Sequence, residues 1–494
     1  MDERTLVDHA IEYGLSSKVD YIEARYINST NENYFCRNGD FFSIQKKPSE
    51  GIGIRLLKNG GIGFGSISSL NKKEVENRID SLIKMAKLSK RDKPIELSNE
   101  DSIEDSWNVP TNIPFEDISK EEKQDFVKEL DKKIKDCGGK RFSLRSKIKN
   151  RILFFHTADS KKYIVNSDGS TVSSEESFIS VYCIMTASVK NKQEQRMIGL
   201  GGSSGWEWLK DMKIRDMIGR ESEKLVSTVE EAKEIDFDKP VDVIVGPEVS
   251  GIMAHENVGH PSESDRIMGR DKAQAGGSFY KDLMDIEEKN DEKKLDIKNC
   301  KINLGADCIS VIDDPTLPKS PGFYVYDDEC VKAQPRYLIK NGKLNDLLLN
   351  REFAHKFKTS SNGAARSAGY SREPIPRMSN TFFEPGDYSK DELIENVSEG
   401  MLIESFTEWN IDDRRYHSKY VGLESYLIED GEVTGKMIKR PTLELTTPAL
   451  LSSIDAVSDD YESRMNFCGK SDPMQPIRVS TGGPYLRMKN VRVG

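Results

Sequence analysis

Histidine is scarce in this chain, with six in 494 residues, and no apolar run approaches the roughly 20 residues needed to cross a bilayer. The second absence excludes a helical membrane span, so no membrane partner is expected. The opening Met1-Asp2-Glu3-Arg4 is acidic and lacks the basic-then-apolar order of a secretory signal, which points to the cytoplasm. Cysteine is sparse and unpatterned: seven are scattered at 36, 137, 183, 300, 308, 330 and 468, an odd number without a CxxC pair. That excludes a disulfide framework and leaves reduced, mostly buried thiols. Basic clustering is missing as well. The 73 Lys and Arg are dispersed among 83 Asp and Glu, for a net charge of −10, so no basic stripe is offered to nucleic acid.

What is present suits two soluble domains: 36% hydrophobic and 32% charged residues, in a chain too long for one ordinary core. Leu6, Ala10 and Ile11 predict a helix over 4–14, followed by a strand over 21–27. Segments 51–57 and 61–65 flank Asn59-Gly60 and predict a hairpin. Their dense glycines lack the Lys-Ser/Thr ending of a phosphate loop, so they read as edge-strand glycines. Asn71 with Glu74 and Ser119 with Glu122 open two capped helices, the second stopping at Gly138-Gly139. Residues 89–116 between them read as a polar connector. Strands are expected over 152–156, 163–165 and 178–189, with a turn at 166–169, and then a helix marked by Trp206, Leu209, Met217 and Leu225. The charged stretch 287–299 reads as a solvated excursion. Short strands at 309–312, 323–326, 426–428 and 476–479 fill the second half. The expected fold class is α+β with two domains: an N-terminal α/β-layered domain over 1–236, and a C-terminal β-rich, barrel-like domain over 237–494 carrying a distorted metal-site helix.

That helix rests on His255-Glu256-Asn257-Val258-Gly259-His260, which holds two of the six histidines and sets a carboxylate beside the first. Neutral imidazoles favour zinc, and a neighbouring Glu can take a proton from a water that zinc activates. The familiar zinc-peptidase spacing is His-Glu-x-x-His, with i and i+4 on one helix face. Here the second His stands at i+5. At about 100° per residue, i and i+5 lie roughly 140° apart on a regular helix. A π-type turn pairs i with i+5 and restores a common side, and Gly259 would ease it. The apolar 241–245 reads as a strand leading to a helix start at Pro247-Glu248, and Pro261 stops the segment after His260. Catalytic zinc takes three protein ligands, and the residues alone leave Cys330, Cys468, His355, His417 or an acid as the third.

Several ordered motifs resemble the TldD/PmbA family of zinc metallopeptidases, in its metal-bearing TldD-type branch. The strongest is 255–260 with Glu263-Ser264-Asp265, where the family typically has Glu-Gly-Asp. Further matches are Asp313-Asp314-Pro315-Thr316, Tyr326-Asp327-Asp328-Glu329, Pro376-Arg377-Met378-Ser379-Asn380, Tyr426-Leu427-Ile428-Glu429-Asp430-Gly431, and the ending from Cys468-Gly469-Lys470 to Gly494. The resemblance implies that His255 and His260 bind Zn2+ and that Cys468 is the third ligand. Two departures stand out: Cys330 occupies a position where glycine is usual, and Phe406-Thr407-Glu408-Trp409-Asn410 replaces a more glycine-rich segment. The first bears on a turn near the site, the second on substrate preference.

The expected activity is that of a zinc-dependent metallopeptidase acting on unfolded or extended peptides, with Glu256 as general base passing the water proton to the departing amine. Asp265 is a candidate to orient a histidine, with helix capping or a surface place as its other readings. The resemblance also implies a dimer, with itself or with a related metal-free subunit, and an extended substrate could add as a strand to the β-rich domain. Competing readings are a non-catalytic peptide-binding subunit with structural zinc and a zinc amidohydrolase acting on small molecules, although the deaminase Pro-Cys-x-x-Cys is absent.

Overall fold

Asn38 with Gly39 and Asn59 with Gly60 all take positive φ, as two-residue hairpin turns require if they are to match the twist of the strands they join. The computed structural model describes residues 2–90, 93–137, 147–270, 276–284 and 302–494. After helix α1 (Glu3–Ser16), these turns link β1 (Tyr21–Arg37), β2 (Asp40–Lys58) and β3 (Gly61–Ile67) into antiparallel hairpins. Pro48 sits in β2 opposite Thr30 of β1, outside the span where β3 pairs with β2, so its missing N–H costs no ladder bond.

The chain continues through α2 (Lys72–Leu88), β4 (Glu104–Asn108), α3 (Lys120–Asp136), β5 (Ile148–Asn166), β6 (Thr171–Val189), β7 (Lys192–Gly202), α4 (Trp208–Asp211) and α5 (Ile214–Glu231). Asn71 and Ser119 cap α2 and α3, each accepting the backbone N–H three residues on. Gly138 and Gly139, expected to stop the second helix, lie outside the described residues, as does the charged stretch 287–299. The seven strands form one sheet in the order β3-β2-β1-β5-β6-β4, with β7 also on β6, curled into a half-barrel. Leu6, Ala10, Val75, Ile79 and Leu82 of α1 and α2 pack with Ile22, Ile52 and Ile54 of the sheet, while Phe126, Leu130, Ile218 and Leu225 of α3 and α5 cover its other end.

Several expectations need amending here. Residues 152–156 and 163–165 belong to one 19-residue strand, β5, whose polar middle is kept extended by β1 on one side and β6 on the other. The connector over 89–116 contains β4, parallel to the start of β6. The helix marked by Trp206 to Leu225 is two helices, broken at Lys213 with φ of 49°.

From residue 241 the described residues build two six-stranded sheets, a three-stranded one and a two-stranded one that pairs Ala365–Arg366 with Ile375–Pro376. In the first, β8 (Val241–Val245) lies between Glu399–Ile403, parallel, and Leu486–Val491, antiparallel. The second runs Lys343–Leu344, Arg336–Lys340, Val311–Asp313, Asn380–Phe383, Gln475–Gly483, Glu462–Lys470. Residues 323–326, expected as a strand, contribute only an isolated bridge from Tyr326 to Lys332. The third joins Phe406–Ile411, His417–Gly422 and Thr442–Thr446. A large apolar core including Val243, Ile252, Leu338, Phe353, Met378 and Leu450 lies between these elements. No helix among the described residues is long and apolar enough to cross a membrane, and the six described cysteines are all free thiols.

Candidate metal centre

Buried strand β8 delivers the chain to α6 (Pro247–Met253), which starts with Pro at its first position, where an N–H would be unused anyway. The helix then widens into a π turn over Ala254–Gly259, and the His260 N–H donates to the His255 carbonyl at 3.0 Å, an i to i+5 bond. The two imidazoles consequently face each other with ring centroids 4.7 Å apart at 77°. Asn257 pins the outer side of the turn by donating to Thr447 Oγ1 at 2.7 Å and Ser418 Oγ at 3.2 Å. Gly259 serves through space rather than backbone freedom, since a Cβ there would lie 2.0 Å from Met378 Sδ.

Cys468 comes in on the strand Glu462–Lys470, from the far end of the chain. Its Sγ lies 3.5 Å from His260 Nε2, and the candidate ligand atoms of His255, His260 and Cys468 all fall within 4.8 Å of one another, every one buried. Burial would push the Cys468 thiol up, but His260, Arg377 and His255 outweigh it and hold the thiol well below its ordinary range. His255 Nδ1 is buried without a hydrogen-bond partner. Two buried imidazoles and a thiol inclined to ionise, one ring nitrogen unsatisfied, are a donor set that suits a soft-tolerant divalent cation.

The other third-ligand candidates lie elsewhere. His355 pairs with Glu96 at 2.8 Å, His417 sits exposed beside the Tyr416 ring, and Cys330 packs with Ile164 and Val172 against the half-barrel. Cys330 has φ of 62°, the left-handed conformation that explains why glycine is usual at its position. Asp265 does not reach a histidine. Glu263 does: its Oε2 is 2.9 Å from His260 Nδ1 and accepts from Arg266 Nε at 2.5 Å, with Lys470 Nζ at 3.4 Å. Asp265 instead accepts from Lys470 Nζ at 2.7 Å. A tight turn accounts for the difference: the Glu263 N–H donates to the His260 carbonyl at 3.2 Å, which keeps Glu263 beside that residue.

Glu256 is nearly buried and held from two directions by the hairpin at 406–422. Trp409 Nε1 donates to Oε1 at 3.2 Å and Arg415 Nη1 to Oε2 at 2.6 Å. Burial alone would raise this carboxyl, but His260, Arg415, His255 and Trp409 together bring it below its ordinary range and so favour its ionised form. Trp409 lies in the segment singled out as divergent, whereas nothing in the spacing of the sequence pointed to Arg415, on a turn about 160 residues away.

A mixed α/β chain with a buried His-His-Cys group beside an ionised Glu falls in the class of candidate metal-dependent hydrolases. The chain belongs to the PmbA/TldA metallopeptidase family: residues 238–494 match its C-terminal domain, 113–234 its central domain and 22–86 its domain 1. It is 29% identical over 470 residues to a metalloprotease of Methanocaldococcus jannaschii, covering 95% of this chain and 96% of the relative. A metalloprotease of Methanothermobacter thermautotrophicus is 27% identical over 480 residues, with 97% and 96% covered. The crystal structure of TldE from Thermococcus kodakarensis has the same fold, with a TM-score of 0.74 at 18% identity over 99% of this chain and all of that one.

Proposed function

We propose that this chain is a zinc-dependent peptidase that hydrolyses unfolded or extended peptides, with His255, His260 and Cys468 holding the metal and Glu256 as general base. The observation that carries this reading is the meeting of three buried metal-suited donors, Cys468 standing more than 200 positions from the two histidines, beside a buried carboxylate that its neighbours bring below its ordinary range. Bound zinc would supply Lewis acidity, acidifying a water and polarising the peptide carbonyl. Glu256 takes the water proton and returns it to the departing amine; Glu263 fixes the His260 ring by accepting from Nδ1; Arg415 and Trp409 fix the Glu256 carboxylate.

Among the described residues the group has three members, the number typical of catalytic rather than structural zinc, and this favours a peptidase over a peptide-holding subunit. We further propose assembly as a homodimer or with a related metal-free subunit; the TldE structure shows that a second chain of this fold exists. A cytoplasmic setting fits seven scattered cysteines. We place the domain boundary near residue 236, since no sheet spans it.

The test compares the purified protein with Glu256→Ala on an unfolded peptide, with bound zinc measured in both. Retained zinc and lost cleavage are expected. Equal cleavage by the two proteins would remove Glu256 from its role, and absence of zinc from both would remove the metal reading.

A further inference from the structure

Alternation along β5 sends His156, Ala158, Ser160 and Lys162 to one face of the half-barrel, where they join Asn31 of β1 as the floor of a cleft of about 240 Å³. The opposite wall comes from the hairpin that carries Cys468, through Phe467 and Arg478. Phe467 directly precedes the metal-site cysteine and is 51% exposed, so one strand presents Cys468 to the buried centre and an open aromatic ring to the cleft.

The charges lining this cleft do not balance locally. Glu176 is shared by Lys162 at 3.0 Å and Arg478 at 3.1 Å, and Asp328 is engaged by Lys162 at 3.4 Å and by Ser367 through its N–H at 2.7 Å and Oγ at 2.8 Å. Asp327 accepts three backbone N–H groups, while burial and the neighbouring Glu329 push its carboxyl well up. Arg366 is left without an acid. It is only 9% exposed and lies over the Tyr324 ring at 5.2 Å; it donates to the Met378 carbonyl at 2.6 Å, and no ion pair among the described residues includes it, Asp313 being taken by Arg336. Burial, joined by the nearby Arg478 and Arg377, pulls its guanidinium down to about 10 against the opposing influence of Tyr324 and Asp313. On the floor, His156 Nε2 lies 3.1 Å from Asn31 Oδ1 and its Nδ1 is buried with no partner. With Nε2 donating to that oxygen, Nδ1 keeps a free lone pair for an N–H.

A buried guanidinium lacking an acid, an unsatisfied ring nitrogen and an open aromatic ring around one cavity call for a ligand with a carboxylate, an N–H and an apolar body. The C-terminal residue of a peptide has all three. The cleft and the metal centre lie on the two faces of the strand Glu462–Lys470 and are linked through packed groups: the carbonyl that Arg366 binds belongs to Met378, whose sulfur would meet a Cβ at Gly259 of the π turn, and neighbouring Arg377 donates to the Cys468 carbonyl. We propose that this cleft is a docking site for the free C-terminal carboxylate of the substrate, with Arg366 as its ligand, so that the enzyme prefers peptides with a free C-terminus. This deepens the peptidase reading and rests on it.

The test uses one fluorescently labelled, alanine-rich hexapeptide ending in Phe, made as the free acid and as the C-terminal amide. Binding to the zinc-loaded Glu256→Ala protein is followed by anisotropy, and cleavage by the unaltered protein is followed in parallel. Hydrogen bonds to a charged group are worth enough for the acid to bind on the order of 10- to 100-fold more tightly than the amide. Arg366→Gln should abolish the difference while leaving amide binding unchanged. Should Arg366→Gln fail to fold, Arg478→Gln and the acid-to-amide comparison in the unaltered protein still decide, the former reducing the preference severalfold. Equal binding of acid and amide, or a preference that survives in Arg366→Gln, overturns the subsite. If both forms are cleaved at the same rate, the subsite falls and the peptidase reading stands. If neither is bound nor cleaved, both fall.

Discussion

Replacing Glu263 by Gln keeps its size and removes one negative charge from a buried group in which Arg266, Lys470 and Arg377 all face it. Burial by itself would raise the Glu263 carboxyl, but Lys470, Arg266 and His260 reverse that and hold it well below its ordinary 4.5. Removing one partner of a buried ion pair costs about 3–5 kcal/mol. Lys470 keeps Asp265 at 2.7 Å, and the Gln oxygen can still accept from one donor, so the lower end, about 3 kcal/mol, is expected. With an unfolding entropy of about 2.1 cal/mol/K per residue spread over half of this chain, the metal-free melting temperature should fall by about 6 °C. The His260 ring loses its anionic partner, so zinc affinity should drop about 10- to 100-fold. A chelator-competition titration and thermal unfolding of the metal-free protein measure the two effects separately. Asp265→Asn is the control, because Asp265 bonds Lys470 rather than a histidine. Unchanged zinc affinity in Glu263→Gln, with a tenfold loss in Asp265→Asn, would refute the assignment. The pH dependence has a definite sign: a carboxyl depressed on folding stabilises above about 4.5, and this is lost as pH falls through the folded value. The melting temperatures of the metal-free parent and Glu263→Gln should therefore converge in acid.

Two further outcomes follow from packing and from the Glu256 contacts. A Cβ at Gly251 would lie 2.4 Å from the Gly482 backbone nitrogen and 2.8 Å from the Thr481 carbonyl carbon, neither of which can rotate away. Gly251→Val should accordingly shift α6 off the strand Gln475–Gly483, costing about 1–3 kcal/mol in denaturant unfolding and lowering zinc affinity; an unchanged midpoint would contradict the close packing. Arg415→Met removes the 2.6 Å contact that holds Glu256 Oε2, and misplacing a catalytic base costs up to about 100-fold. The loss should appear in kcat with KM and bound zinc nearly unchanged, and a change confined to KM would place Arg415 on the substrate instead.

How far the site was legible in the chain depended on how far apart its parts stood. The π turn could be anticipated because an i to i+5 bond involves only neighbouring residues: the His spacing, the Pro that opens α6 and the Pro that follows His260 all act within about 15 positions. Strand β8 and the Asn59-Gly60 hairpin were legible for the same reason. Strand β7 and the middle of β5 were not, because their residues are largely polar and only adjacent strands hold them extended. Cys468 shows the limit most clearly. Residue type left it among Cys330, His355, His417 or an acid, the turn-favouring Gly469 made it attractive, and the resemblance to a family selected it. What brings it to His260 is the pairing of Glu462–Lys470 with Gln475–Gly483 and of that strand with Asn380–Phe383, a chain of contacts spanning a hundred residues. Arg415 had no comparable signal. One arginine among 73 basic residues becomes significant only when the hairpin at 406–422 folds over Glu256. The proposed metal donors and base are thus a local motif with one distant addition, while of the groups that hold Glu256 only Trp409 lies on the segment 406–410 where this chain departs from the family's usual pattern. Differences in activity between this chain and its relatives should therefore trace to the contact of Trp409 with Glu256 before they trace to the proposed ligands His255, His260 and Cys468.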